Sequence, residues 1–194
     1  MRTSLVFKPL VFLASLVPAT YLAMAGYLDQ LGANPIEKVL RESGFWTLSF
    51  LLLCLSVTPL RQFSGVSWIG QFRRMLGLFA FFYACLHMLT YIGLDQFFDW
   101  PQILKDVAKH PYVMVGLTGY LLLIPLALTS TSGMMKRMGG RRWKTLHQAV
   151  YFIAVLGVIH YWWLVKKDIL KPSLFAAGLV ALMTFRLIQR LKRT

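Results

Sequence analysis

No acidic side chain falls inside any of the long apolar runs of this 194-residue chain. Asp29, Glu37, Glu42, Asp95, Asp99, Asp106 and Asp168 all lie between them. The runs cover approximately residues 9–28, 45–60, 75–94, 112–129, 146–164 and 172–188. Crossing the hydrocarbon core of a bilayer takes about 20 mostly apolar residues as a helix. The expected fold is therefore an all-α integral membrane protein, a bundle of six transmembrane helices forming one domain over 1–194. Composition supports this: 57% of residues are hydrophobic and 14% charged, against about 25% charged in a soluble domain. The second and sixth runs are short and are expected to need tilt or local bilayer thinning.

The formal net charge of +14 does not mark a nucleic-acid binder, because the basic residues form short clusters between apolar runs and no basic domain. They act as topology signals. Fourteen Lys and Arg fall in the amino-terminal tail (Arg2, Lys8), the second connection (Arg61, Arg73, Arg74), the fourth (Lys136, Arg137, Arg141, Arg142, Lys144) and the carboxyl tail (Arg186, Arg190, Lys192, Arg193). Only seven (Lys38, Arg41, Lys105, Lys109, Lys166, Lys167, Lys171) fall in the alternate connections, which also hold every acid. This split puts both termini in the cytoplasm. Trp46, Trp162 and Trp163 suit an outer aromatic belt and Trp143 an inner one. The competing reading of the first run is a cleavable signal peptide ending near Ala23-Met24-Ala25; it leaves an odd span count that breaks the charge alternation. Residues 62–71, with Phe63, Val66, Trp68 and Ile69, read equally as an interfacial segment or a loop.

Cys54 and Cys85 lie in apolar runs and form neither a disulfide framework nor a CxxCH haem attachment site. Motifs for dinucleotide, ATP and common hydrolase chemistry are absent from the sequence. Without intramembrane acids there is no carboxylate proton relay, and the histidines remain. An ionisable residue inside a membrane is a functional-site candidate by default. His87 lies 12 residues beyond Met75 and His160 14 beyond Leu146, so both sit about 18–21 Å from the inner surface. Two neutral imidazoles at one depth on neighbouring helices suit the axial positions of a haem iron.

His147 stands about 20 Å further in on the helix of His160, turned about 140° from it. It marks a second metal position whose opposite ligand is open, because the matching residues on the third run are Arg73 and Arg74. Those arginines suit haem propionates or a flavin phosphate. His110, in Lys109-His110-Pro111, reads as a solvated loop residue. Ala84 and Gly157, one turn before His87 and His160, offer either room for a flat macrocycle or helix packing. Met75 and Met88 read as lipid-facing rather than axial ligands, and Tyr91 and Tyr151 as candidate hydrogen-bonding partners of a propionate.

Arg73-Arg74-Met75-Leu76-Gly77-Leu78, Leu86-His87, Ala127-Leu128-Thr129-Ser130, Trp143-x-x-Leu146-His147, His160-Tyr161 and Gly32-Ala33-Asn34-Pro35 together resemble the MsrQ (formerly YedZ) family over residues 30–190. The resemblance implies a ferric-reductase-like membrane domain that binds haem b, one or two per chain, in the bacterial inner membrane. It further implies electron delivery to a periplasmic MsrP-like molybdopterin reductase that repairs methionine sulfoxide in oxidised proteins, with no substrate chemistry on this chain. Quinol or a cytoplasmic flavin reductase is implied as donor, with FMN associated. Larger ferric reductases hold two haems on two histidine pairs, and Arg73 or Arg74 replaces one of those histidines here. The rival reading from a different class is a small polytopic transporter with a histidine proton relay. A non-redox membrane assembly factor is a third.

Overall fold

A computed structural model describes residues 2–165 and 167–192; Lys166 and Arg193 of the charge tally lie outside them. The described residues are almost wholly helical. Helix α1 spans Arg2–Tyr27, α2 Pro35–Ser64, α3 Phe72–Leu89, α4 Trp100–Lys109, α5 Pro111–Leu128, α6 Ser132–Met138, α7 Gly140–His147, α8 Ala149–Leu164 and α9 Leu170–Leu191. A short 3-10 turn, Ser67–Gln71, leads into α3, and a π-helical turn, Thr90–Asp95, continues it.

Local chemistry sets the ends. The Gly32-Ala33-Asn34-Pro35 motif is the start of α2: Gly32 takes φ +87°, the Glu37 N–H donates to Asn34 Oδ1 at 3.1 Å, and Pro35 fills the first turn, where its missing N–H costs nothing. Asp99 caps α4 in the same way, accepting from the Gln102 N–H at 3.0 Å. Gly65, at φ +69°, terminates α2 in the left-handed conformation that glycine adopts without strain.

Among the described residues, five stretches are long and apolar enough to cross a membrane: Phe7–Tyr27, Pro35–Ser64, Ser67–Asp95, Pro111–Leu128 and Leu170–Leu191. The runs at 45–60 and 172–188, expected to be short, lie within helices of 30 and 22 residues, so neither needs a thinned bilayer. The Asn34 cap, outside the apolar run, extends α2. The run at 146–164 behaves differently: α8 has 16 residues and continues from α7 across Gln148 alone, whose N–H still donates to Lys144 O at 3.1 Å. Residues 62–71 are not a plain loop, since α2 continues through Ser64 and the 3-10 turn stacks Trp68 on Phe7 at 5.1 Å.

The bundle is built on two helical pairs, α2 with α3 and α5 with α8. Phe50 of α2 stacks between Phe79 (5.7 Å) and Tyr83 (5.3 Å) of α3, with Trp46 6.4 Å from Tyr83. Two proline kinks serve as attachment points. At Pro18 in α1, the Tyr83 hydroxyl accepts from the Ala19 N–H at 3.1 Å and donates to the Ser15 carbonyl at 2.8 Å, bridging groups that an unbroken helix joins directly. At Pro59 in α2 the ring has no N–H for the Leu55 carbonyl; Arg186 of α9 donates to that carbonyl instead, at 2.5 Å.

Candidate functional site

His87 on α3 and His160 on α8 meet across the two pairs, their ring centroids 6.1 Å apart and their planes at 86°. Each imidazole leans on the other helix of its own pair. His87 Nδ1–H donates to the Leu40 carbonyl of α2 at 2.9 Å, and His160 Nδ1–H to the Tyr112 carbonyl of α5 at 2.7 Å. A carbonyl only accepts, so the proton must sit on Nδ1 in both rings, which leaves each Nε2 with its lone pair. That tautomer, with its far nitrogen held by a backbone oxygen, suits an imidazole that ligates a metal.

The donor set also says what kind of metal group fits. Among the described residues no group of three or more His, Cys, Asp or Glu could hold an ion, so a bare zinc or iron would lack ligands. A prosthetic group that brings its own equatorial nitrogens needs only two protein ligands, one on each side. With ring centroids 6.1 Å apart, His87 and His160 are the residues that would hold such a group.

At the opposite end of the bundle, His147, Arg73 and Arg74 line a single cavity of about 220 Å³ together with Cys54, Ser130 and Trp143. His147 Nδ1–H donates to the Trp143 carbonyl at 3.1 Å. The Ser130 Oγ is 3.4 Å from His147 Nε2, while its own proton goes to the Leu126 carbonyl at 2.7 Å. The Trp143 indole stacks on the His147 ring at 3.9 Å and is tied by its N–H to the Thr129 carbonyl at 2.9 Å. The structure thus gathers two of the sequence motifs, 127–130 and 143–147, around one imidazole. Both arginines are exposed, and the cavity brings their charge beside the His147 imidazole.

Other sequence expectations are redirected. Gly157 faces α2, where a Cβ would stand 3.2 Å from Leu48 Cδ1, and Ala84 is buried in the core; both serve helix packing. Tyr91 donates to Asp106 Oδ2 at 2.6 Å, tying the π turn to α4, and Tyr151 lies under the Arg186 guanidinium at 5.1 Å. The Tyr91 hydroxyl is thus taken by Asp106, and the Tyr151 ring face by Arg186. His110 joins α4 to α5, half-buried, with Nε2 3.8 Å from Asp106 Oδ1 and its ring 5.5 Å from Tyr112; it stands beside the pair and not in it.

Sequence reasoning passed over two glycines. A Cβ on Gly44 would lie 3.1 Å from His87 Nδ1, and one on Gly116 2.7 Å from His160 Nδ1. The available signal was a glycine inside each helical pattern, four residues after the carbonyl that the imidazole uses.

Residues 43–158 match the family described as ferric reductase like transmembrane component, a window that contains His87, His147 and both arginines and stops two residues before His160. Relatives named "Protein-methionine-sulfoxide reductase heme-binding subunit MsrQ" include one from Herminiimonas arsenicoxydans, 51% identical over 92% of this chain and 83% of the relative. Those from Azospira oryzae (50% identical; 95% and 80%) and Rhodospirillum rubrum (50%; 94% and 88%) match equally broadly.

Proposed function

Because the chain belongs to the MsrQ family of haem-binding subunits of protein-methionine-sulfoxide reductase, we propose that residues 1–194 form a six-span b-type cytochrome of the bacterial inner membrane with both termini cytoplasmic. In this reading α7 and α8 together make the fifth span. Electrons from the quinone pool or a cytoplasmic flavin reductase enter at the His147 end and leave at the His87–His160 end. The acceptor is a periplasmic molybdopterin reductase that repairs oxidised methionine.

The observation that carries the proposal is the close approach of the two rings, 6.1 Å between centroids, with the Nδ1–H of each committed to a backbone carbonyl. His87 and His160 would hold the haem, each fixed in tautomer by its carbonyl. Haem iron, when bound, supplies a one-electron ferric–ferrous couple. Two protein ligands held between α2, α3, α5 and α8 would leave no open position for oxygen or substrate, which suits electron transfer. At the inner end, His147 would supply a nitrogen ligand or hydrogen-bond acceptor, and Arg73 and Arg74 would pair with the anionic groups of a second haem or of FMN. Two sites about 20 Å apart along one helix span most of the hydrocarbon thickness, as a transmembrane electron path requires.

The test is a reduced-minus-oxidised spectrum of purified protein with haem-to-protein stoichiometry. His87→Ala and His160→Ala should each abolish the low-spin signal, and His110→Ala should leave it intact. Equal loss in all three variants, or a colourless native protein, overturns the proposal; the second result favours the transporter class.

A further inference from the structure

We infer that Gly44 and Gly116 are positioning residues for the two axial histidines, an inference that rests on the haem reading of His87 and His160. The argument is steric. In an α-helix the carbonyl of residue i is already bonded to the N–H of residue i+4. A second donor can reach its other lone pair only from the side, across the surface next to residue i+4. For Leu40 that residue is Gly44, and for Tyr112 it is Gly116. At both places the imidazole lies in the space a side chain would fill. A Cβ on Gly44 would be 3.1 Å from His87 Nδ1 and 3.2 Å from Cε1; on Gly116 it would be 2.7 Å from His160 Nδ1 and 2.8 Å from Cε1.

The same device therefore occurs once in each helical pair: a carbonyl, a glycine one turn later, and an imidazole from the partner helix seated on both. The glycines of the other helix contacts differ. Gly157 and Gly178 face Leu48 Cδ1 and Leu52 Cδ2 at 3.2 and 3.3 Å, the ends of flexible apolar side chains that can give way. Gly44 and Gly116 face the ligand ring itself, close to the nitrogen whose proton defines the tautomer. A methyl group there would lift the ring off its carbonyl, release Nδ1–H, and change the direction in which Nε2 points. The two seats also hold the ring planes nearly perpendicular, at 86°.

The experiment uses the purified, haem-loaded full chain and its Gly44→Ala, Gly116→Ala and Gly178→Ala variants. It reads haem affinity, spin state by absorption, and the electron paramagnetic resonance of the ferric form, which is sensitive to the angle between axial imidazole planes. Gly116→Ala, with the closer contact, should lose haem affinity about 10–100-fold, the usual cost of removing the outer partner of a metal ligand. It should shift bound haem from low spin toward high spin, with added free imidazole restoring the low-spin bands. Gly44→Ala, where the ring must move only a few tenths of an ångström, should keep low-spin haem but change the low-field resonance and the midpoint potential. Gly178→Ala should match the native protein.

Native affinity, spin state and resonance in both Gly44→Ala and Gly116→Ala overturn the inference while leaving the haem reading in place. So does equal damage in Gly178→Ala, since that would trace the effect to general helix packing. A native protein without a low-spin haem signal is a different result, and it removes the reading on which the inference rests.

Discussion

Arg186 can be tested against the proline it compensates. Its guanidinium donates to Leu55 O at 2.5 Å and Leu182 O at 3.1 Å and lies 5.1 Å from the Tyr151 ring centre. Pro59 denies the Leu55 carbonyl its usual helical donor, and lipid offers no substitute. Arg186→Met loses a hydrogen bond from a charged group, worth about 1.5–3 kcal/mol, and strands a carbonyl. It also loses a cation–π contact of about 0.5–1 kcal/mol, while removing the cost of holding a charge at membrane depth returns part of this. The expected net loss is about 2 kcal/mol. Pro59→Ala restores an N–H at the right place, so in that background the same Arg186→Met change should cost about 1 kcal/mol less. The assay is unfolding in detergent mixtures of increasing SDS fraction, followed by tryptophan fluorescence, on the native protein, both single variants and the double variant. Additivity within about 0.3 kcal/mol would refute the reasoning and mean that the Leu55 carbonyl is satisfied without Arg186.

Three further outcomes follow from other contacts. Tyr83→Phe removes the hydroxyl between Ala19 N–H and Ser15 O and should destabilise the protein by about 1 kcal/mol, measured in the same unfolding assay; an unchanged midpoint would mean α1 closes its own hydrogen bond at the kink. His147→Ala should leave the low-spin spectrum of the His87–His160 site intact but slow its reduction by the physiological donor in stopped-flow absorption, whereas loss of all haem would show the two sites to be inseparable. Asp95→Lys reverses an exposed acidic charge whose side-chain contact is the Gln96 amide at 2.8 Å; reoxidation by the purified periplasmic partner should slow, and native rates should fall as salt rises past about 0.15 M. Asp99 is unsuitable for that test, because it caps α4 and its replacement would disturb the helix as well as the charge.

The spacing of the histidines along their helices was legible because helical rise is fixed at about 1.5 Å per residue. Counting from the ends of apolar runs was enough to place His87 and His160 at one level and His147 at another, and the structure brings the first two into contact. The placement of charges was equally legible, since any acid in the hydrocarbon region is costly and the chain has none there. Helix lengths were less so: α2 and α9 extend beyond their apolar runs because caps and polar turns, not hydropathy, decide where a helix stops.

What a side chain leans on is a matter of azimuth and of neighbours remote in sequence, and no periodicity encodes it. Residues 40 and 87, or 112 and 160, meet only after α2 has packed on α3 and α5 on α8. Spacing left Gly157 open between macrocycle room and helix packing, and the structure turns it to Leu48, while Gly44 and Gly116, on other helices, lie against the imidazoles. The left-handed backbone at Phe97 and Phe98, φ +47° and +60°, is likewise a tertiary outcome, for bulky residues adopt it only where surrounding contacts hold them. The sequence by itself determined which segments are apolar enough to cross a membrane and how far apart along their helices the histidines stand, through the additive cost of transferring each side chain to lipid and the constant helical rise. The packed bundle alone decided which imidazoles meet and which carbonyl each leans on, because that depends on close approach between helices distant along the chain.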